Sequence, residues 1–284
     1  MALLSIQSHV AYGHVGNSAA VFPIQRLGRE VWPIHTVQFS NHKGYGSWEG
    51  DVFGADRLEA VWRGVKARGR LADCEAVLSG YLGSAEVGSF VMGAVRDVKA
   101  ARPDAVYACD PVMGDYGRGF YVSKGVAEFT IREAIPASDI ATPNQFEAES
   151  ISGRVITSLG DAKAACDAIR EMGPSTVLVT SFGPKEQGIG SISLFLASEE
   201  GCRILTTPRL PIEPPLNGAG DLTAALFLTH YLEHREPVLA LELTADSVFS
   251  VFERSFAEAS RELCLVAAQE EIAHPRRRFP AKKV

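Results

Sequence analysis

Several features are missing from this 284-residue chain, and each absence removes a class of function. There is no C-x-x-C pair, and the five cysteines, Cys74, Cys109, Cys166, Cys202 and Cys264, lie far apart. That pattern excludes a disulfide framework or a zinc site and predicts free thiols in a reducing cytoplasm. There is no Walker A pattern, no G-x-S-x-G elbow, and no G-x-G-x-x-G after the first strand, which counts against a dinucleotide-dependent oxidoreductase. No stretch reaches the ~20 apolar residues that a membrane helix needs. Through Gln25 the chain carries no Lys, Arg, Asp or Glu, but Gln7, Ser8, His9, His14 and Asn17 interrupt any apolar core. With no basic start, this is not a secretory signal. Basic residues are in deficit, giving a net charge of −6 and a pI of about 5.7. Nucleic acid and membrane surfaces are therefore poor candidates as partners. The basic cluster Arg276-Arg277-Arg278, with Lys282-Lys283, reads as a solvated tail.

What is present is ordinary for a globular protein: 46% apolar and 22% charged residues, enough for a large core. No repeat, low-complexity segment or linker divides the chain, so residues 1–284 are expected to form a single domain. Leu3–Ile6 predicts a short strand, Ser18–Leu27 a helix, Val31–Phe39 a strand and Asp56–Arg68 a helix. Ala76–Ser79 is a strand, Ala85–Ala101 a helix with apolar residues at helical spacing, and Ala105–Cys109 a strand. Further on come a helix over Ser123–Ile135, a very short strand at Ile140-Ala141, and helices over Pro143–Ser152 and Leu159–Met172. Val177–Thr180 is a strand, and Ile192–Leu196 with Cys202–Leu205 a hairpin. The end of the chain reads as helical to about Ile272, with Leu239, Leu243, Val248, Val251, Phe252 and Phe256 buried. Strands alternating with helices predict an α/β three-layer sandwich, its central sheet mostly parallel and covered by helices on both faces. In such sheets ligands bind at the carboxyl ends of the strands. Ser8, Phe39, Tyr81, Asp110, Thr142, Asn144, Thr180 and Ser181 collect at that edge.

The stretch with the most chemistry is Asn217-Gly218-Ala219-Gly220-Asp221, between the Pro-rich segment 208–215 and an apolar helix from Leu222 to Leu232. The first N–H groups of a helix lack backbone partners and sit at the positive end of its dipole, so glycines there can admit an anion. Asp221 beside such a site would suit a base that takes a proton from an attacking hydroxyl. The plainer reading is a helix cap after a turn. Asp110 and Asp115, five residues apart across a turn, could both face a nucleotide-borne Mg²⁺; an Asp-Pro turn is the plain reading. In Thr142-Pro143-Asn144-Gln145-Phe146-Glu147, Thr142 reads as the helix cap with Pro143 in the first turn. That leaves Asn144 and Glu147 on one face for phosphate or metal-bound water. Gly44-Tyr45-Gly46 and Gly114–Gly119 are loops able to close over a site. His9 and His42 lie in these loops and are not read as metal ligands.

Taken in order, Ser5-Ile6-Gln7-Ser8-His9-Val10, Val37-Gln38-Phe39-Ser40-Asn41-His42, Ser79-Gly80-Tyr81, Cys109–Asp115, Thr142–Glu149 and Gly218–Asp221 resemble the pyridoxal kinases, of the ribokinase-like superfamily. The resemblance covers nearly the whole chain. It implies phosphorylation by ATP, with Mg²⁺, of the 5′-hydroxymethyl of pyridoxal, and often of pyridoxine and pyridoxamine. It implies Asp221 as base, with the amides of Gly218, Ala219 and Gly220 as anion hole. Ser8, Phe39, Lys43, Tyr81 and Tyr121 would face the vitamin. Asp110, Thr142, Asn144, Glu147, Thr180, Ser181, Thr207, Pro208, Arg209 and Leu210 would serve ATP. Asp110, Asp115 and Glu147 would serve Mg²⁺, largely through water. Arg118–Tyr121 would belong to a lid. A cytoplasmic homodimer and a monovalent cation are also implied. Lys43, Phe120 and Ala219 depart from common family residues, and Lys43 reads as a solvated lysine at a loop tip or, more sharply, as an amine within reach of a bound aldehyde. A hydroxymethylpyrimidine-type kinase and a non-catalytic vitamin-binding protein on the same scaffold remain as alternatives.

Overall fold

A computed structural model of the chain describes residues 1–183 and 190–284. Its strands are β1 (Ala2–Val10), β2 (Glu30–Phe39), β3 (Gly50–Val52), β4 (Cys74–Ser79), β5 (Val106–Cys109), β6 (Gly114–Asp115), β7 (Gly119–Phe120), β8 (Ile140–Ala141), β9 (Thr176–Phe182), β10 (Ser191–Ser198), β11 (Gly201–Pro208) and β12 (Lys282–Lys283). Its helices are α1 (Asn17–Arg26), α2 (Ala55–Lys66), α3 (Ala85–Ala101), α4 (Lys124–Phe129), α5 (Ile135–Ala137), α6 (Gln145–Ser152), α7 (Leu159–Met172), α8 (Ala219–His234), α9 (Pro237–Ala257) and α10 (Gln269–Ala273). The main sheet has the order β12-β11-β10-β9-β8-β5-β4-β1-β2-β3, while β6 and β7 pair separately. From β9 to β2 every pairing is parallel. The strands at the two edges are antiparallel.

Parallel strands must be covered on both faces, and the sequence alternates accordingly. Leu4, Val77, Tyr107, Val177 and Phe195 point into a core with Trp62 of α2, Phe90 and Val91 of α3 and Ile169 of α7. Their chain neighbours Leu3, Ala76, Leu78, Ala108, Leu178 and Leu196 point the other way, onto Ile24 of α1, Phe227 and Leu228 of α8 and Leu241 of α9. The expected three-layer architecture is the one observed. Among the described residues no helix is long and apolar enough to cross a membrane.

Four expectations change. The strand β1 runs on through Gln7, Ser8 and His9, because pairing with β2 and β4 and the buried Asn17 side chain serve its polar residues. The register with β2 slips between Gln7 and His9, so Ser8 sits at a bulge; bulges re-aim side chains beside sites. Helix α9 ends at Ala257, and Ala259 at φ 48° opens an irregular segment before α10. Of the residues expected inward, Val251 is buried, Leu239, Leu243, Val248 and Phe252 are half-buried and Phe256 is exposed, while Ala240, Leu241, Thr244, Ser247, Phe249 and Ser255 are buried as well. Close packing of α9 on its neighbours favours small residues there, whereas hydrophobicity alone points to the large ones. Finally, the basic tail is exposed, as expected, but is also tied down. Arg278 pairs with the buried Asp246 and with Glu253, Arg277 with Glu242, and Lys282-Lys283 add a strand to β11.

Candidate active site

The mouth of α8 lies where β1 and β2 end. Gly218 precedes the helix at φ 83°, and an added Cβ would stand 1.8 Å from the carbonyl oxygen of His14. Only glycine fits that approach. No side chain caps this helix. The first backbone bond of its entry comes from the Leu222 amide to the Gly218 carbonyl at 2.9 Å, so the preceding amides have no intrahelical partner. Gly220 is exposed, with nothing within 4 Å of where a Cβ would be. Asp221 is half-buried. Burial pushes its carboxyl up to about 6, partly offset by the amides of Gly16 and of Asp221 itself.

Across the cleft stands Asp110, just past β5 and buried. Burial, then the charges of Asp221 and Glu147, hold its carboxyl well above the ordinary range. The three acids therefore share one electrostatic environment. Glu147 is buried and fully engaged. Its oxygens accept from the amides of Met113 (2.7 Å), Gly114 (3.3 Å) and Asn144 (2.9 Å). Burial outweighs those amides and pushes it up to about 7.

The expected cap moves by two residues. Asn144, not Thr142, caps α6, in a reciprocal box with Glu147. The reason is tertiary: the Thr142 amide bonds to the Cys109 carbonyl at 3.1 Å and Asn144 bridges Thr180, so the chain stays in the sheet until Asn144. Thr142, released from capping, is buried with its hydroxyl beside the Asp110 carboxyl. Asn144 also donates to the Gly114 carbonyl at 2.8 Å, fixing the loop that carries Asp115, which is exposed. Phe146 anchors the β6–β7 hairpin through the Tyr116 and Phe120 rings, at 5.9 and 5.0 Å. The Phe120 departure is thus a packing contact of this hairpin. Tyr121, at the end of that hairpin, is 43% exposed, and its hydroxyl is held above its usual range by desolvation and by the charges of Glu147, Asp110, Asp221 and Asp115.

Thr180 is buried in β9, and Ser181 beside it is exposed in the left-handed region at φ 55°. Thr207 is buried at the end of β11, with Pro208 and Arg209 exposed and Leu210 half-buried. On the other side, Ser8 packs against Gly16, and Phe39 and Tyr81 join Val10, Val15 and Val37 in a small apolar cluster. Lys43 is exposed, but not free in solvent. Its Nζ lies 5.9 Å from the Phe39 ring, 5.2 Å from Trp48 and 5.7 Å from Tyr81, and 3.4 Å from the Tyr81 hydroxyl. Trp48 was missed; an aromatic in the Asn41–Gly50 loop was the available signal. Glu262 was missed too, and no local motif marks it. Also passed over is the i, i+4 pair His230 and His234 on α8, whose rings stack at 6.5 Å. Among the described residues no three His, Cys, Asp or Glu side chains converge on a metal position. An ion that completes its shell with phosphate oxygens and waters, as Mg²⁺ does, needs only one or two carboxylates.

Residues 58–258 match the family model described as phosphomethylpyrimidine kinase. The chain is 52% identical over 283 residues to pyridoxal kinase PdxY of Rubrobacter xylanophilus, covering 99% of this chain and 97% of that one. It is 46% identical over 284 residues to pyridoxal kinase PdxY of Corynebacterium diphtheriae, covering 100% of both. Among solved structures, pyridoxal kinase from Leishmania donovani in complex with ADP and pyridoxamine is 30% identical, with a TM-score of 0.90, covering 99% of this chain and 98% of that one. With this architecture, this cleft and full-length identities of that order, the chain belongs to the phosphomethylpyrimidine kinase family and, within it, to the pyridoxal kinases.

Proposed function

We propose that the protein transfers the terminal phosphoryl group of ATP to the 5′-hydroxymethyl of pyridoxal, and to the same group of pyridoxine and pyridoxamine, acting as one domain over residues 1–284. The observation that carries this reading is the half-buried Asp221 in the first turn of a helix that has no side-chain cap among the described residues and whose Gly220 is exposed. A carboxyl raised to about 6 is ionised at neutral pH yet basic enough to accept the alcohol's proton as the oxygen attacks. The amides of Gly218, Ala219 and Gly220 would stabilise the charge that develops on the phosphoryl oxygens. Ser8, Phe39, Lys43, Tyr81 and Tyr121 would bind the pyridine ring. Thr142, Asn144, Thr180, Ser181 and Thr207–Leu210 would line the nucleotide.

The acids also fit a divalent cation. The charge of Asp221 helps to raise the Asp110 carboxyl, and neither acid has a Lys or Arg ion pair among the described residues. The Thr142 hydroxyl adds a polar atom beside Asp110. Asp110, Asp115 and Glu147 would hold Mg²⁺ largely through water, and the ion would neutralise phosphate charge. A monovalent cation, a homodimer and a cytoplasmic setting, in keeping with unpaired cysteines, complete the reading.

A second reading, a kinase for hydroxymethylpyrimidine, is favoured by the description of the matching family model. One assay separates the two: ATP consumption with pyridoxal, pyridoxine, pyridoxamine and hydroxymethylpyrimidine side by side. Turnover confined to the pyrimidine would displace the pyridoxal reading, and vitamin binding without any ATP consumption would displace both.

A further inference from the structure

We infer that Glu262 is a positioning residue for phosphoryl transfer, clamping the flap beside the alcohol pocket to the turn that backs the anion-binding amides. The inference rests on the kinase reading above and concerns a residue outside every motif of the cleft. Glu262 lies in the irregular segment after α9 and is buried. Its carboxylate accepts from three groups on two separate loops. The His14 amide reaches Oε2 at 3.0 Å, the Tyr45 hydroxyl reaches Oε1 at 2.7 Å, and His42 Nε2 reaches Oε1 at 3.2 Å. The His42 tautomer is set locally. Its Nδ1 accepts from the Gly44 amide at 3.1 Å, so the ring proton is on Nε2 and points at Glu262.

Each contact leads to the cleft. The His14 carbonyl abuts Gly218, and Leu263, next to Glu262 and fully buried, lies 3.2 Å from the position of a Cβ at Gly218. A Cβ at Gly44 would stand 3.3 Å from the Asn217 side chain, so the flap rests on the residue before the anion turn. Lys43, in the same short turn as Tyr45, carries its ammonium into the Phe39, Trp48 and Tyr81 rings. Gly13, at φ 88°, lets the carboxylate approach, since a Cβ there would meet Oε2 at 2.4 Å. The neighbouring Arg261 does not neutralise Glu262 but stacks on the Tyr45 ring at 4.8 Å. Burying a carboxylate beside a neutral His42, with no Lys or Arg ion pair among the described residues, is a costly way to fill space. Three directed hydrogen bonds converging from the flap and the anion turn are what that cost supports.

The test compares wild type, Glu262→Gln and Tyr45→Phe as full chains, with KM measured separately for pyridoxal and ATP. Amide hydrogen exchange is followed in segments 13–17 and 42–46. Glu262→Gln keeps the size but offers an N–H to donors. Its kcat should fall about tenfold and its KM for pyridoxal rise about fivefold, with KM for ATP within about twofold of wild type. Exchange in segment 42–46 should accelerate. Tyr45→Phe removes one flap contact and should raise KM for pyridoxal about two- to threefold at unchanged kcat. A folded Glu262→Gln with both pyridoxal parameters and flap exchange at wild-type values overturns the clamp. If Glu262→Gln does not fold, an unchanged KM and unchanged exchange in Tyr45→Phe overturn it. A wild type inactive on every alcohol defeats the kinase reading instead, and flap exchange then still decides the clamp.

Discussion

Two helices meet the cleft at their N-termini, α6 and α8, and both carry an acid in the first turn whose carboxyl is pushed up by burial. They are otherwise opposites. At α6 every device of a stable helix start is present: Asn144 caps, Glu147 returns to the Asn144 amide, and the remaining oxygen of Glu147 takes the amides of Met113 and Gly114. At α8 there is no side-chain cap and a left-handed glycine where a cap would sit. A helix mouth left bare forgoes about 1 kcal/mol of capping, and here the mouth is exposed at Gly220. The difference separates two uses of one motif. An acid whose lone pairs are taken by backbone amides organises a loop, and an acid left to the cleft can take a proton.

Asp221→Ala should have the largest effect if that distinction is right. We expect kcat to fall by about 10² or more with KM nearly unchanged, the pattern of a lost general base. Near-wild-type turnover would make the two acids equivalent and erase the comparison. The pH dependence comes next. Asp221 must be ionised to act, so kcat/KM should fall about tenfold per pH unit below the value of about 6 at which its carboxyl titrates. A flat profile between pH 5 and 7 would remove Asp221 from the proton transfer.

Glu147→Gln addresses the other helix. The buried amides lose one of two acceptor oxygens, and we expect unfolding free energy to drop by about 1–3 kcal/mol. A carboxyl raised to about 7 when folded contributes stability that is full below the unfolded value of about 4.5. That contribution is lost as pH rises through about 7. The stability gap between wild type and variant should therefore narrow from pH 5 to pH 8, as read by urea unfolding. Three amides leave the carboxylate about one lone-pair direction for a metal-bound water, so half-saturating Mg²⁺ should rise by less than about threefold. Unchanged stability with a tenfold loss of Mg²⁺ affinity would reverse the roles given to the two helices.

The sequence made the α8 mouth legible because everything needed is contiguous: prolines that cannot be helix, two glycines, an acid, then an apolar run. Helix α3 was legible for the same reason, and its predicted limits, Ala85–Ala101, are those observed. What stayed hidden is decided by contacts across long separations. The α6 cap falls on Asn144 because Thr142 is held by Cys109, and the tail is ordered because acids on α9 lie opposite its arginines. Glu262 finds His14 and His42 across more than two hundred residues. The inward face of α9 was only partly judged: Val251 is buried as expected, but small and polar residues such as Ala240, Thr244 and Ser247 share that face, and a search for large apolar side chains passes over them.

Lys43→Thr should give the smallest change, and it asks how open the α8 side of the cleft is. The Lys43 ammonium lies among the Phe39, Trp48 and Tyr81 rings, the faces on which a pyridine ring would stack. At an exposed site a cation–π contact is worth about 0.5–1 kcal/mol, so a vitamin entering between those rings must displace the amine at that cost. Removing it should lower KM for pyridoxal and pyridoxine alike by about two- to fivefold, with kcat unchanged. If KM instead rises, and for pyridoxal alone, the amine is engaging the aldehyde. Borohydride reduction in the presence of pyridoxal would then leave a modified Lys43 peptide, which pyridoxine, having no carbonyl, cannot produce.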